Sequence, residues 1–470
     1  MVIKSANARD IIQSAKELID QEPMSPALKA CLLSMMLMME LMANQLGLNS
    51  KNSSKPPSTD PNRKKKPKSD NPKKPGGQNG HIGKTLEKVE NPNKIEFIPV
   101  DRTTLPSGTW TSDGYESRQV FDLEISVEVT EYRAEILKNE TGDRYTAKFP
   151  EGVGSPVQYG NSVITHAVYL SQYQLVPYER VREHFADQFG VPVSVGTINN
   201  FNERVYEKLG WFDSFVKENL LAEKLLHADE TGINIDGKGH WIHGNSSRKW
   251  TYLTVHGKRG KEAMDAMGVL SEYGGTVCHD HWKPYYRFDG FVHSLCNAHH
   301  LRELQHAYES GQDWAQNMQE LLLEINKDRN DFNRILSPER IAMWHRKYRD
   351  ILAQGELECP LPPVPAETKR GRVKQSKSRN LLDRLRDFED DTLRFLNDPV
   401  YEFTNNEGEQ TLRMTKVHQK ISGCFKSFHG AEVYCRIRSY LSSAMKHGFT
   451  ASYALQALFN GENIFTEKLA

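Results

Sequence analysis

The spacing of apolar residues changes along the chain, and each change marks an element. Over residues 5–46 the period is helical: Leu28, Leu32, Met35, Met39, Met42 and Leu46 step by four and three in turn. Ser25-Pro26 supplies a helix start and Gly47 a stop. That stripe suits either the core face of a bundle helix or a short self-associating coiled coil. Residues 49–84 carry no period and are rich in Pro, Ser, Asn and Gly, the composition of a linker. Residues 95–148 alternate apolar and polar, as in Ile125, Val127 and Val129, which predicts a small β-rich module. Residues 157–215 return to a helical period. Tyr178–Gln188 and Val195–Leu209 are separated by Gly190-Val191-Pro192-Val193-Ser194, the outline of a helix-turn-helix, which any pair of antiparallel helices also gives.

From 225 onward the pattern switches to short apolar runs. Strands are expected over 225–229, 240–244, 250–256, 276–280 and 291–296, with a hairpin turn at Asp236-Gly237 and a helix over 260–270. Three strands, a helix, then two more strands is the order of a ribonuclease-H-like fold. In that fold the first and fourth strands lie side by side and parallel. Residues 300–400 read as helical and charged, broken by the Pro-rich stretch from Cys359 to Pro365 and a basic run from Lys369 to Arg379. This is too long for a connection, so it is read as an insertion. A helix opens at Asn405-Asn406-Glu407-Gly408-Glu409 and runs to about Lys420, and Ala431–His447 forms another.

Composition changes the picture only locally. Lys plus Arg and Asp plus Glu are both 61, so net charge is silent about a polyanionic partner. Between Lys51 and Lys84, however, ten Lys/Arg face two Asp. That run, with Lys64, Lys65, Lys66, Lys73 and Lys74 at its centre, suits either a solvated spacer or a phosphate-contacting arm whose binding falls with salt. The six cysteines form no CxxC pair, which argues for a reducing compartment. No signal peptide is expected at MVIKSANARD, and the apolar stretch Ala30–Met39 is too short for a membrane span. A cytoplasmic protein without membrane partners is expected.

The candidate chemistry lies at strand ends. Asp229 and Asp280 each follow an apolar run, so parallel neighbouring strands would set them side by side, a site for Mg²⁺ or Mn²⁺. The alternative is that both are surface turn acids, and Glu230 and Asp236 compete as ligands. Two ions can stabilise the attacking and leaving oxygens of a phosphoryl displacement. A third carboxylate would complete the set, and Glu407 and Glu409 are the candidates; on a helix only one can face the site. Glu409 shares its face with Arg413, Lys416 and Lys420, which suits phosphate contacts, but Asn406 to Glu409 also has capping-box spacing. On the helix-turn-helix, Thr197, Asn199, Asn200 and Asn202 suit base edges or phosphates. Cys278, His279, His281, His293, Cys296, His299 and His300 crowd the same region. Cys296 and His299 have a zinc-ligand spacing, yet no second pair follows, so a zinc hydrolase is less favoured than buried structural roles.

Taken together, these motifs resemble the bacterial transposases of the insertion sequence sixty-six family, members of the DDE class. The matching stretches run in order from Ser53-Ser54-Lys55-Pro56-Pro57-Ser58 and Lys74–His81, through Ala228-Asp229-Glu230-Thr231, Lys258–Ala263, His279-Asp280, Leu295–His299 and Leu301–Leu304, to Thr404–Glu409, Leu412-Arg413 and Lys420–Gly423. The resemblance implies that Asp229, Asp280 and Glu409 are catalytic and hold two Mg²⁺ or Mn²⁺ ions. It also implies cleavage at element ends and strand transfer into target DNA, with Cys296 and His299 as a structural Cys-x-x-His pair. Partners would be DNA, further copies of the chain and small accessory proteins of the same element, in a nucleoid-associated setting. The family's zinc module would need two CxxC pairs. Asp101–Thr104 and Lys138–Gly142 stand there instead, so no zinc is expected in it.

The expected architecture is multidomain α/β. It comprises a zipper-like segment (1–48), a basic linker (49–90), a β-rich module (91–152) and a helical DNA-binding region (153–220). A ribonuclease-H-like core (221–300 and 400–450) follows, split by a helical insertion (301–399), with a helical tail (451–470). Two other functions remain compatible with these residues: a catalytically silent DNA-binding protein derived from a transposase, and a structure-specific nuclease of the same fold.

Overall fold

The structure, a computed structural model, describes residues 14–15, 18–19, 21–46, 48–49, 52–53, 60, 86–361 and 375–465. The chain divides into two units, one of residues 64–149 and one of residues 1–63 with 150–470.

In the smaller unit the alternation predicted more sheet than forms. Strands β1 (Ile136–Lys138) and β2 (Arg144–Thr146) make one short antiparallel hairpin, and Asp101 caps a single 3₁₀ turn at Arg102–Thr104. Val120, Leu123 and Val129 are exposed, so the expected β-rich module is corrected to a hairpin with extended flanks. The reason is physical. Two three-residue strands offer no face that can cover those side chains, and alternation alone does not bury them.

The larger unit includes helix α1 (Pro26–Leu46), on which Leu28, Met35, Met39 and Met42 of the predicted stripe are exposed. Four further α-helices lie between residues 150 and 224: α2 (Asn161–Val168), α3 (Tyr178–Phe189), α4 (Val195–Lys208) and α5 (Phe212–Leu221). Gly190, with φ of 64°, ends α3, and Ser194 Oγ accepts the Thr197 N–H at 3.0 Å to start α4. The helix-turn-helix outline is therefore present.

A five-stranded mixed sheet follows, formed by β3 (Leu225–Ile235), β4 (Lys238–Ser246), β5 (Thr251–His256), β6 (Thr276–His279) and β7 (Val292–Leu295), in the order β5-β4-β3-β6-β7. β3, β4 and β5 pair antiparallel, and β3, β6 and β7 pair parallel. Asp236 (φ 46°) and Gly237 (φ 80°) turn the β3–β4 hairpin in the left-handed region, as their identities predict. Strand β3 runs six residues beyond Asp229, where the sequence reading ended it. Its partner β4 continues alongside and keeps it extended. Helix α6 (Lys261–Met267) makes the crossover from β5 to β6.

After β7 the described residues form helices α7 (Asn297–Tyr308), α8 (Asp313–Asp331), α9 (Pro338–Glu358) and α10 (Lys377–Asp387). They enclose their own core of Trp314, Met318, Leu322, Trp344, Tyr348 and Leu382. Buried Arg329 donates to the carbonyls of Asp398 (3.1 Å), Pro399 (3.3 Å) and Tyr401 (2.6 Å), tying down the segment that returns to the sheet. Helices α11 (Asn406–Ser422) and α12 (Phe428–Lys446) then cover one sheet face, where Leu412, Phe425 and Tyr434 meet Ile233, Ile242 and Leu253. Ser439 and Ser443 of α12 accept the N–H groups of Leu253 (2.8 Å) and Thr251 (3.0 Å). This blunts edge strand β5 against further pairing. A last helix, α13 (Ala451–Phe459), joins the core beside α2.

Candidate active site

The parallel register of β3 and β6 places the two aspartates. His227 pairs with Cys278, so Asp229 and Asp280 each stand two residues beyond that matched pair, at the carboxyl end of the parallel strands. Glu230 points the other way, as strand alternation requires. Its carboxylate is 1 % exposed and is taken up by Arg259 (2.7 and 2.9 Å) and the Tyr285 hydroxyl (2.7 Å). Glu230 is thus spoken for, and half-buried Asp229 is left on the other side of β3, just beyond its parallel pairing with β6.

The third acid comes from the first turn of α11. Lys446 Nζ pairs with Glu407 at 2.7 Å, which ties Glu407 down on α12's side of the helix. Glu409 remains 40 % exposed, with Arg302 of α7 at 3.5 Å. Asn405, not Asn406, is the N-cap, and its side chain makes no cap hydrogen bond. The capping box expected from Asn406 to Glu409 is therefore absent. Instead the Asn405 side chain bridges back to β3, with Nδ2 donating to the Ala228 carbonyl at 2.9 Å and Oδ1 2.8 Å from His227 Nδ1. Its own N–H donates to Cys296 Sγ at 3.1 Å. One asparagine thereby fixes α11 against both the aspartate strand and the end of β7.

Gly408 makes room for this bridge. A Cβ there would meet Asn405 Nδ2 at 2.8 Å and Oδ1 at 2.9 Å. Gly408→Ala is expected to cost about 1–3 kcal/mol by overpacking, read as a lowered urea midpoint, with catalytic activity falling too because Asn405 must move.

Electrostatics set the acids under mutual strain. Burial, then the charges of Glu230, Asp280 and Glu409, push the Asp229 carboxyl up to about 8, although the Glu230 N–H bonds it. Burial also raises Asp280, against relief from the Trp282 N–H at 3.0 Å and from Arg259. Neither aspartate is ion-paired with Lys or Arg among the described residues. Hard carboxylate oxygens with unbalanced negative charge fit a divalent cation such as Mg²⁺ or Mn²⁺. A consequence follows for the metal-free protein. Between about pH 4, where an unfolded Asp titrates, and the folded value of about 8, the folded chain binds more protons than the unfolded one. Asp229 therefore makes stability fall as pH rises through that window. Urea midpoints in EDTA across it should show the decline, and it should be smaller in Asp229→Asn.

Cys296 caps α7 directly after β7, and His299 lies one turn in. Cys296 Sγ, a ring nitrogen of His299 and a carboxylate oxygen of Glu409 all lie within 4.8 Å of one another. Among the described residues no other trio of His, Cys, Asp or Glu is so close, the three acids included.

The expected DNA-contacting residues fall in three places. Asn199 and Asn200 are exposed on α4 and Thr197 is half-buried, whereas Asn202 is buried against Tyr178 Oη (2.8 Å) and Ser171 Oγ (3.1 Å) and is withdrawn from any reading role. Arg413, Lys416 and Lys420 lie exposed along α11, with Lys416 Nζ bonded to the Gly232 carbonyl at 2.6 Å. Lys64, Lys65, Lys66, Lys73 and Lys74 lie outside the described residues. The sequence reading gave no role to Arg259 or Tyr285. Arg259 carried a signal as part of a basic turn before a helix; Tyr285 carried none.

The fold and the site first define a class: a mixed α/β protein with an acidic cluster at the carboxyl ends of its parallel strands. The family model described as transposase IS66 family matches residues 156–433, more than half of the chain, so the protein belongs to that transposase family. The match spans Asp229, Asp280, Glu409, Cys296 and His299. Membership makes the chain, at that level, a DNA-binding enzyme of transposition that cleaves and joins DNA. Residues 5–87 match a second model, described as a family of unknown function (DUF6444). A comparison with curated proteins gives no match. Among the described residues no helix is long and apolar enough to cross a membrane.

Proposed function

We propose that the chain is a DDE transposase with a ribonuclease-H-like core, in which Asp229, Asp280 and Glu409 form the catalytic acid set for DNA strand cleavage and strand transfer. The observation that carries this reading is the matched offset of Asp229 and Asp280 beyond paired β3 and β6, with Glu409 close enough to raise Asp229. Strand order β5-β4-β3-β6-β7 supports the fold assignment. Two divalent cations held there would activate the attacking oxygen and stabilise the leaving one. Arg259 and Tyr285 hold Glu230 out of the set, and Asn405 fixes the third acid's helix against the first acid's strand. Arg413, Lys416 and Lys420 line α11 beyond Glu409 and would neutralise phosphates of the bound end. Thr197, Asn199 and Asn200 would contact that end from α4, and the basic linker around Lys64–Lys66 and Lys73-Lys74 would hold flanking phosphates. The exposed Leu/Met stripe of α1 suits pairing with a second copy, so that two ends can be held together.

The test is cleavage and joining of a labelled duplex carrying the gene's flanking terminal repeats, in Mg²⁺ or Mn²⁺. Glu409→Gln is expected to lose both reactions by roughly 10²-fold or more, while Glu407→Gln keeps them, since the Glu407 carboxylate is taken up by Lys446. Loss in Glu407→Gln and retention in Glu409→Gln would reverse the assignment. End-specific binding without cleavage by wild type would favour a silent DNA-binding protein. Cleavage without end specificity or joining would favour a nuclease.

A further inference from the structure

We propose that Cys296, His299 and Glu409 bind a Zn²⁺ ion, distinct from the hard-cation chemistry of the aspartates, and that this ion fixes the Glu409 carboxylate. The donor atoms already lie within 4.8 Å of one another. Bonds of about 2.0–2.3 Å around a tetrahedral ion put ligand atoms roughly 3.3–3.8 Å apart, so closure needs a contraction of about an ångström. The three residues come from two helix starts that are firmly placed. Cys296 is held by its N–H on the His279 carbonyl at 2.9 Å, His299 sits three residues later on the same face of α7, and Glu409 enters from α11.

The three donor types suit a cation of intermediate softness. The Asn405 N–H donates to Cys296 Sγ at 3.1 Å. Burial pushes the Cys296 thiol up to about 11, against relief from neighbouring backbone N–H groups, so a bound cation would supply the charge that a thiolate needs there. His299 Nδ1 is buried and has no hydrogen-bond partner among the described residues. An unsatisfied buried ring nitrogen is costly, and metal ligation by the ring, with water or the ion at that atom, removes the cost. One thiolate, one imidazole and one carboxylate are a zinc donor set, not a magnesium one. Thiolate and carboxylate together supply two negative charges, which balance Zn²⁺.

Three protein ligands leave a fourth position for water. Glu409 would use one oxygen on zinc and keep the other towards Asp229 and Asp280. Zinc would therefore act as a positioning ion for the third acid. That functional part rests on the acid set proposed above; the zinc site itself does not.

The experiment uses the full chain loaded with Zn²⁺ or Co²⁺. The expected results are one zinc per chain by elemental mass spectrometry and, in the cobalt form, a near-ultraviolet thiolate-to-metal band with strong visible bands of a four-coordinate ion. Cys296→Ser should abolish the thiolate band. His299→Ala and Glu409→Gln should weaken zinc binding by at least the roughly 10–100-fold that outer-shell changes cost. Asp229→Asn should bind zinc as wild type does. A cobalt form without the thiolate band, full zinc retention in Cys296→Ser, or unchanged affinity in both His299→Ala and Glu409→Gln would overturn the site. Circular dichroism checks folding, and His299→Ala carries the test if Cys296→Ser does not fold. The two proposals fail separately. Asp229→Asn protein that binds zinc yet cleaves DNA like wild type removes the acid set and leaves the zinc site. Asp229-dependent cleavage by a protein with no thiolate band does the reverse.

Discussion

Asp229→Asn is expected to cut DNA strand cleavage roughly a thousandfold or more while making the metal-free protein harder to unfold at pH 8. The first effect follows from position. Asp229 stands level with Asp280 at the end of the parallel pair, and its carboxylate is the most burdened of the acids. Losing a charge that organises divalent cations around a phosphoryl displacement costs several kcal/mol of transition-state stabilisation, and each 1.4 kcal/mol is about tenfold. The second effect follows from the same burden. Without a cation, the folded chain must either protonate Asp229 or hold its charge beside Asp280, Glu230 and Glu409. A neutral amide avoids both. After discounting for the exposed edge of the site, the gain is on the order of 1–2 kcal/mol at pH 8, and it should vanish near pH 4. The paired measurement is a cleavage time course beside urea unfolding in EDTA at the two pH values. A variant that loses cleavage and also unfolds more easily at pH 8 would mean that Asp229 supports the fold and is no ligand.

Asn405→Ala is expected to destabilise the protein by about 2–6 kcal/mol, because it removes the partner of two buried groups, His227 Nδ1 and the Ala228 carbonyl, at roughly 1–3 kcal/mol each. Cleavage should fall further than unfolding explains, by about 10²-fold under conditions where the variant is folded, since a displacement of about an ångström at a reacting centre costs that much. Asn405→Asp sharpens the test. Its carboxylate can still accept from His227, yet it turns an oxygen towards the Ala228 carbonyl where an N–H₂ stood. It should behave like Asn405→Ala in cleavage. If Asn405→Asp cleaves normally, the Ala228 bond is not what holds α11 in place.

Much of the fold was legible because period and length agree in this chain. The five strands, the Asp236-Gly237 turn and the helices after Leu295 all follow from apolar spacing and turn residues. The end of β3 was not legible. Thr231, Gly232 and Asn234 read as a turn, and only the register with β4 keeps them extended. The module over 95–148 failed for the opposite reason: its alternation was clear, but alternation states which face is apolar and not whether anything covers it. At the site, spacing left Glu407 and Glu409 open. The pairing of Glu407 with Lys446, 39 residues downstream, depends on how α12 returns and has no local signature. The same holds for Asn405: spacing put the cap at Asn406, while the side chain of Asn405, the N-cap, serves another strand. Cys296 and His299 had the spacing of half a metal site. Their third neighbour was already named in the sequence, though for a different ion.

The order in which the chain is synthesised gives the split sheet a further meaning. β3 to β7 emerge first with Asp229 and Asp280, but the face made by Ile233, Ile242 and Leu253 has no cover until α11 and α12 follow, more than a hundred residues later. The four intervening helices own a separate core and can form by local contacts meanwhile. With the acid set proposed above, a nascent chain would carry two acids on an unfinished sheet and would cut only once nearly the whole protein had left the ribosome. Late closure of this kind makes folding slow and leaves the apolar sheet face open to aggregation in the interval. On the acid set proposed above, a truncated product ending within the insertion would not cut DNA, since it lacks Glu409 and helices α11 and α12.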